Sequence, residues 1–176
     1  MERIASRIVH RGRIATVRED EFRYRDGSTA VREVVAHPSA VAMLAHDERF
    51  VYLVRQPREA VGEERLLELP AGKLDVEGES PLQAAKRELA EEIGKQASEW
   101  RELKRIYTSP GFTDEEAWIF LATGLSDVAG EPDTDERIEV VPVPLQDLDR
   151  AIDECADAES LVGLLLFRHE RQGGTA

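Results

Sequence analysis

The chain has one cysteine in 176 residues, which excludes an intrachain disulfide framework and a cysteine-cluster zinc site. It also has no long apolar run. The longest, Leu161 to Phe167, is seven residues, against the roughly 20 that a membrane span needs. The opening Met1-Glu2-Arg3-Ile4-Ala5-Ser6-Arg7 lacks an apolar signal region, so the expectation is a soluble cytoplasmic protein with no membrane partner. Lysine is scarce, at 4 against 19 arginines. Coding bias explains that ratio as readily as phosphate recognition does.

What is present suits one domain with a small extension: 41% hydrophobic residues can fill a core and 34% charged residues can solvate it. The net charge of −13 is unevenly spread. Residues 127–160 hold 12 acidic and 2 basic side chains, whereas residues 1–60 hold 11 basic and 9 acidic. An acidic surface repels a nucleic-acid backbone, so nucleic acid is not an expected partner.

Residues 6–36 read as short antiparallel strands, with Asp26-Gly27 as the hairpin turn before Thr29–Val35. His37-Pro38 ends that piece. The domain reading is therefore 1–37 as an antiparallel β subdomain and 38–176 as the main domain. In the latter, Ala40–Leu44 and Phe50–Val54 are apolar runs of strand length around Asp47-Glu48-Arg49. Leu66–Leu69 and segments near 101–108, 116–122 and 137–143 read as further strands. Two C-terminal helices are predicted, Leu145 to Cys155 and, with Ser160 as N-cap, Ser160 to His169. Strands interleaved with a few helices imply an α/β or α+β sandwich.

The best-specified helix runs from Pro81 to Ile93. Ser80 and Gln83 form a capping box, Pro81 suits the first helical position, and Gly94 supplies a left-handed end. Leu82, Ala85, Leu89 and Ile93 make one apolar stripe for packing on the sheet. Elsewhere on the helix lie Arg87, Glu88, Glu91 and Glu92. Glu88 and Glu92 are four apart, so their carboxylates project a turn apart from one face, with Glu91 beside them. Like charges at this spacing weaken a helix unless something bridges them. A solvated acidic face is one reading; a divalent cation is the other, and oxygen ligands without His or Cys select Mg2+ or Mn2+ over zinc. Arg87, four before Glu91, can hold that carboxylate in place.

The longer string Gly72-Lys73-Leu74-Asp75-Val76-Glu77-Gly78-Glu79, then seven residues, then Arg87-Glu88-Leu89-Ala90-Glu91-Glu92-Ile93-Gly94 resembles the Nudix box. The pattern of that family is G-x5-E-x7-R-E-U-x-E-E-x-G-U, where U is a bulky apolar residue. Six residues here, not five, separate Gly72 from Glu79, and Lys95 stands at the closing apolar position. Val34–Pro38, Val54–Arg58, Leu67–Gly72 and Ser109–Thr113 further resemble bacterial ADP-ribose pyrophosphatases. So does Pro110, 16 residues beyond Gly94, where that subfamily carries a marker proline.

This resemblance implies a Nudix-type α/β/α sandwich with a mixed sheet. It implies hydrolysis of the pyrophosphate bond of ADP-ribose to AMP and ribose 5-phosphate, with Mg2+ or Mn2+. Glu88, Glu92 and the Ala71 carbonyl would be metal ligands, and Glu91 a secondary ligand or water-organising carboxylate. Arg58 would contact substrate phosphates. A loop acid, Glu136 rather than Asp133 or Asp135, would complete catalysis. The resemblance also implies a homodimer that exchanges its N-terminal strands, with Arg32 reaching the adenosine end. Another nucleoside diphosphate sugar, such as GDP-mannose, and a non-hydrolysing nucleotide sensor remain as alternatives. Cys155 lies among Asp153, Glu154 and Asp157, which disfavours a thiolate nucleophile, and the four histidines have no ligand spacing.

Overall fold

A computed structural model describes residues 1–128 and 137–173, which form two units. The first is Met1–Ser39 with Tyr107–Glu116, and the remainder is the second.

In the first unit, β1 (Glu2–Arg11), β2 (Thr16–Arg23) and β3 (Thr29–Ala36) form an antiparallel sheet in that order. The turn predicted at Asp26-Gly27 joins β2 to β3, and the Asp26 carboxylate accepts from the Ser28 amide at 3.0 Å, a local bond that favours a turn. Asp20 on β2 is buried. Burial alone would raise its pKa, yet hydrogen bonds from Arg18 at 2.7 Å and Ser6 at 2.6 Å bring it below the ordinary carboxylate range.

The second unit contains β4 (Ala40–His46), β5 (Phe50–Arg58), β6 (Glu63–Glu68), β7 (Ala71–Lys73), α1 (Pro81–Ile93), β8 (Lys95–Tyr107), β9 (Glu116–Asp127), β10 (Glu139–Pro144), α2 (Leu148–Glu154) and α3 (Ala158–Arg171). The sheet runs β10-β5-β4-β9-β8, with β6 paired to β5 and β7 to β4. It is mixed: β4 lies parallel to β9 but antiparallel to β5 and β7.

Successive residues of a strand face opposite sides, and β4 distributes its apolar run accordingly. Val41, Met43 and Ala45 join Ala85 and Leu89 of α1 in one core cluster. Ala42 and Leu44 join Ile152, Leu164 and Phe167 of α2 and α3 in the other. A strand covered on both faces reads as a continuous apolar run, which is why this segment is apolar without alternation. The architecture is therefore the expected α/β/α sandwich, with a separate three-stranded antiparallel sheet. Among the described residues no helix is long and apolar enough to cross a membrane.

α1 has the predicted bounds, capping box and left-handed Gly94 cap. The C-terminal helices differ from expectation. The segment predicted as one helix from Leu145 opens as a 3-10 turn, Leu145–Asp147, before α2, its Leu145 amide already bonded to the Arg49 carbonyl at 2.9 Å. α3 starts earlier than predicted because Asp157, not Ser160, is its N-cap and accepts from the Ser160 amide at 2.8 Å. The Ser160 hydroxyl turns inward and accepts from the buried Leu69 amide at 2.7 Å. A serine near a helix start can serve either need, and here the buried amide of Leu69, just past β6, takes it.

Candidate active site

β6, the short β7 and α1 bring the acidic residues of the box together. β7 pairs with β4 in the register Val41 to Gly72 and Ala42 to Ala71, and the Pro70 carbonyl accepts from the Met43 amide at 2.8 Å. These bonds fix the backbone of residues 70–73 against the centre of the sheet. α1 docks its apolar stripe on the same face and presents its acidic residues toward that backbone.

Glu92 is buried, 8% exposed, and its Oε2 accepts from the Ala71 amide at 3.0 Å. A carboxylate so enclosed is costly unless it is hydrogen-bonded. Glu88 lies over Gly72 so closely that a Cβ built there would sit 2.0 Å from its Cδ. With the Glu88 side chain in this position, only glycine leaves that room.

Arg87 organises the other acids. Its Nε and Nη2 reach Glu79 Oε1 and Oε2 at 3.1 and 3.0 Å, a two-pronged pairing suited to a planar guanidinium. Its Nη1 donates to Glu88 at 2.7 Å and to Glu91 at 3.0 Å. The Glu79 hydrogen bonds, then those of Glu88 and Glu91, outweigh partial burial and hold the guanidinium well above its ordinary pKa. The extra residue between Gly72 and Glu79 is absorbed in a turn. There the Glu79 amide donates to the Val76 carbonyl at 3.2 Å, and Gly78 takes φ 82°, which non-glycine residues disfavour. Glu79 therefore reaches Arg87 despite the added length.

Arg58, at the end of β5, donates from Nε to both oxygens of Glu68 at 2.9 and 3.0 Å. Glu68 is buried, and burial pushes its carboxyl above the usual range although Arg58 pulls the other way. Glu92 and Asp157 also act on the Arg58 charge through space, so Arg58 belongs to the same electrostatic neighbourhood as the box. Glu68 is the residue that sequence reading passed over. Its signal was a charge inside the apolar run Leu66-Leu67-Glu68-Leu69, since a buried charge requires a partner.

Arg32 lies on β3 of the first unit, exposed, with Nη1 donating to the Val31 carbonyl at 2.9 Å. Glu136, with Asp133 and Asp135, lies outside the described residues. Cys155 is buried, and burial followed by Asp157 and Glu154 pushes its thiol up to about 12, which suits a core residue and not a nucleophile. His37 pairs with Glu115 at 2.6 Å and His46 stacks on Phe167.

The donors gathered at α1 are all hard oxygen groups, a set that fits Mg2+ or Mn2+ and excludes a thiolate or imidazole site. Among the described residues no three acidic, imidazole or thiol side chains close on one point. Arg87 and the Ala71 amide hold the carboxylates instead.

Known proteins resemble this chain along most of its length. Residues 1–35 match the model of the nucleoside diphosphate sugar hydrolase N-terminal domain. An ADP-ribose pyrophosphatase of Mycobacterium tuberculosis is 47% identical over 133 residues, 75% of this chain. The matched part spans 63% of that relative's length. A second ADP-ribose pyrophosphatase, from Bacillus subtilis, is 40% identical over 82% of this chain and 78% of its own. The methanol dehydrogenase activator of Bacillus methanolicus is 37% identical over 77% of this chain and 74% of its own. A crystal structure of an ADP compounds hydrolase superposes with a TM-score of 0.85 at 26% identity, covering 98% of this chain and 94% of that one. Residues 36–162, which carry the whole Arg87-centred cluster, match the NUDIX domain model, and the chain belongs to the NUDIX family.

Proposed function

We propose that the protein hydrolyses the diphosphate bond of ADP-ribose, adding water to give AMP and ribose 5-phosphate, with a divalent cation as cofactor. The observation that carries this reading is the box cluster, in which Glu88, Glu91 and Glu79 share Arg87 and Glu92 is fixed to the Ala71 amide. Two relatives named ADP-ribose pyrophosphatase, at 47% and 40% identity, support the substrate.

In this reading Glu88, Glu92 and the Ala71 carbonyl hold Mg2+ or Mn2+. The bound cation supplies positive charge to the diphosphate oxygens and acidifies a water. The remaining work belongs to the chain. Arg87 holds the Glu79, Glu88 and Glu91 carboxylates by hydrogen bonds before substrate arrives. Glu91, the more exposed of the helix acids, orients water, and Glu136 serves as the further loop acid. Arg58 takes the phosphates through its terminal nitrogens, since only its Nε is engaged by Glu68. Arg32 is assigned to the adenosine end.

The test is a substrate panel with Mg2+ or Mn2+, its products separated by chromatography. AMP from ADP-ribose is the expected dominant product. Preference for GDP-mannose would move the assignment to another nucleotide sugar, preference for a nucleoside triphosphate would remove it from this subfamily, and tight binding without product would make the protein a sensor.

We extend the proposal to a cytoplasmic homodimer built on exchange of the first unit's strands. The three-stranded sheet at the N-terminus and the match of residues 1–35 to the sugar hydrolase N-terminal domain support it. Sedimentation equilibrium is expected to return twice the chain mass of 19.7 kDa, and deletion of residues 1–37 to shift the particle to monomer. A full-length chain sedimenting at the mass of one chain would refute the dimer.

A further inference from the structure

We propose that Glu68 is a positioning residue, holding the Arg58 guanidinium so that its terminal nitrogens face the diphosphate of the substrate. The proposal rests on the reading above in one respect, that Arg58 binds phosphate.

Glu68 occupies an unusual place for an acid. Its neighbours Leu67 and Leu69 belong to the core cluster under α2 and α3, and its own side chain is 8% exposed. An apolar residue there would avoid the desolvation that a buried carboxylate bears, and replacing buried ion pairs by apolar groups is often neutral or stabilising. Stability therefore does not explain the acid. Geometry does. Both Glu68 oxygens converge on one nitrogen of Arg58, the Nε, at 2.9 and 3.0 Å, whereas a pair built for strength would use the parallel two-nitrogen fork that Arg87 makes with Glu79. Holding Nε alone leaves Nη1 and Nη2 without a hydrogen-bond partner among the described residues, at the end of a side chain that remains 43% exposed.

The backbone makes this anchor rigid. Val54 of β5 pairs with Glu68 of β6, and the register shifts between Gln56 and Arg58. Such an irregularity re-aims a side chain relative to a regular ladder. The next residue after Glu68, Leu69, is tied to Ser160 at 2.7 Å. Two residues further on is Ala71, which bonds Glu92. One short stretch, 68–71, thus sets both the phosphate-facing arginine and a carboxylate of the metal cluster. A guanidinium held in advance loses less rotamer freedom on binding than a free one, and the difference appears as affinity.

The wild type and the variants Glu68→Gln, Arg58→Ala, Arg58→Lys and Glu68→Gln/Arg58→Ala are compared by calorimetric binding of inorganic pyrophosphate with Mg2+ and by ADP-ribose kinetics. Glu68→Gln is expected to weaken pyrophosphate binding about tenfold and to raise KM with little change in kcat. In the Arg58→Ala background the same substitution is expected to change binding less than about twofold, since the group it acts through is gone. The melting temperature of Glu68→Gln is expected to stay level or rise.

Binding unchanged by Glu68→Gln, or an equal loss in both backgrounds, would overturn the proposal. Should Glu68→Gln fail to fold, Arg58→Lys decides: it keeps charge and leaves Glu68 intact but lacks the Nε–H that spans both oxygens. Binding within about twofold of wild type for that variant would also overturn it. A wild type that cleaves no ADP-ribose would remove the substrate assignment, and the pyrophosphate titrations would still decide the role of Glu68.

Discussion

Glu92→Gln is expected to reduce ADP-ribose turnover at least about a thousandfold, equivalent to about 4 kcal/mol of lost transition-state stabilisation, while the protein stays folded. Both halves come from one geometry. Glu92 is 8% exposed and accepts the Ala71 N–H through Oε2 at 3.0 Å. Glutamine has the same shape and keeps one carbonyl oxygen, so this hydrogen bond survives. The negative charge does not, and a neutral amide is a poor ligand for a hard divalent cation. Removing a buried charge also relieves desolvation, so thermal unfolding should occur at or slightly above the wild-type temperature. AMP release measured by chromatography, beside a circular dichroism melt, checks the result. An undiminished rate would sink the assignment of Glu92 as a metal ligand.

The second large effect is expected from Gly72→Ala, a change of one methyl group with no charge involved. The added Cβ would lie 2.0 Å from Cδ of Glu88 and 2.2 Å from its Cγ and Oε1. Gly72 does not have a positive φ, so the backbone itself accepts alanine and the whole conflict falls on the Glu88 side chain. That side chain is only 13% exposed, yet the atoms met are its far end, which can swing aside while the backbone stays in place. Doing so breaks its 2.7 Å bond to Arg87 and withdraws a carboxylate from Glu92. The expected outcome is a melting temperature close to wild type, Mn2+ affinity weakened about 10- to 100-fold, and turnover reduced by a similar factor. Equal Mn2+ affinity in the two proteins, read by titration, would show that Glu88 does not hold the cation.

These two predictions differ in how visible they were beforehand. The Glu88/Glu92 spacing is a local property of a helix, since residues four apart share a face in any α-helix. Its caps are local as well: Ser80, Gln83 and Gly94 act within a turn of the ends they define. The α1 bounds were therefore legible from residues alone. The crowding of Gly72 by Glu88 was not, because it depends on β7 pairing with β4 in one register while α1 packs over both. The start of α3 was misread for the same reason. Ser160 and Asp157 are both good capping residues, and the choice between them was made by the Leu69 amide, 91 residues away along the chain.

By itself the sequence determined what short-range physics controls: a capped amphipathic helix, three acids and an arginine at fixed offsets on it, apolar runs that demand cover on both sides, and a single cysteine too few for an intrachain disulfide. From these follows a sandwich of strands and helices, and the resemblance of the Gly72–Gly94 string to the Nudix box adds the kinship with NUDIX proteins. Only the tertiary structure decided which groups meet. It sets Glu92 on the Ala71 amide, Glu79 on Arg87 across a loop one residue longer than the pattern, and Arg58 on the buried Glu68. Each of these contacts joins separate elements. Their distances are set by strand register and by how closely a helix can approach a sheet, and neither is encoded within any one turn of chain.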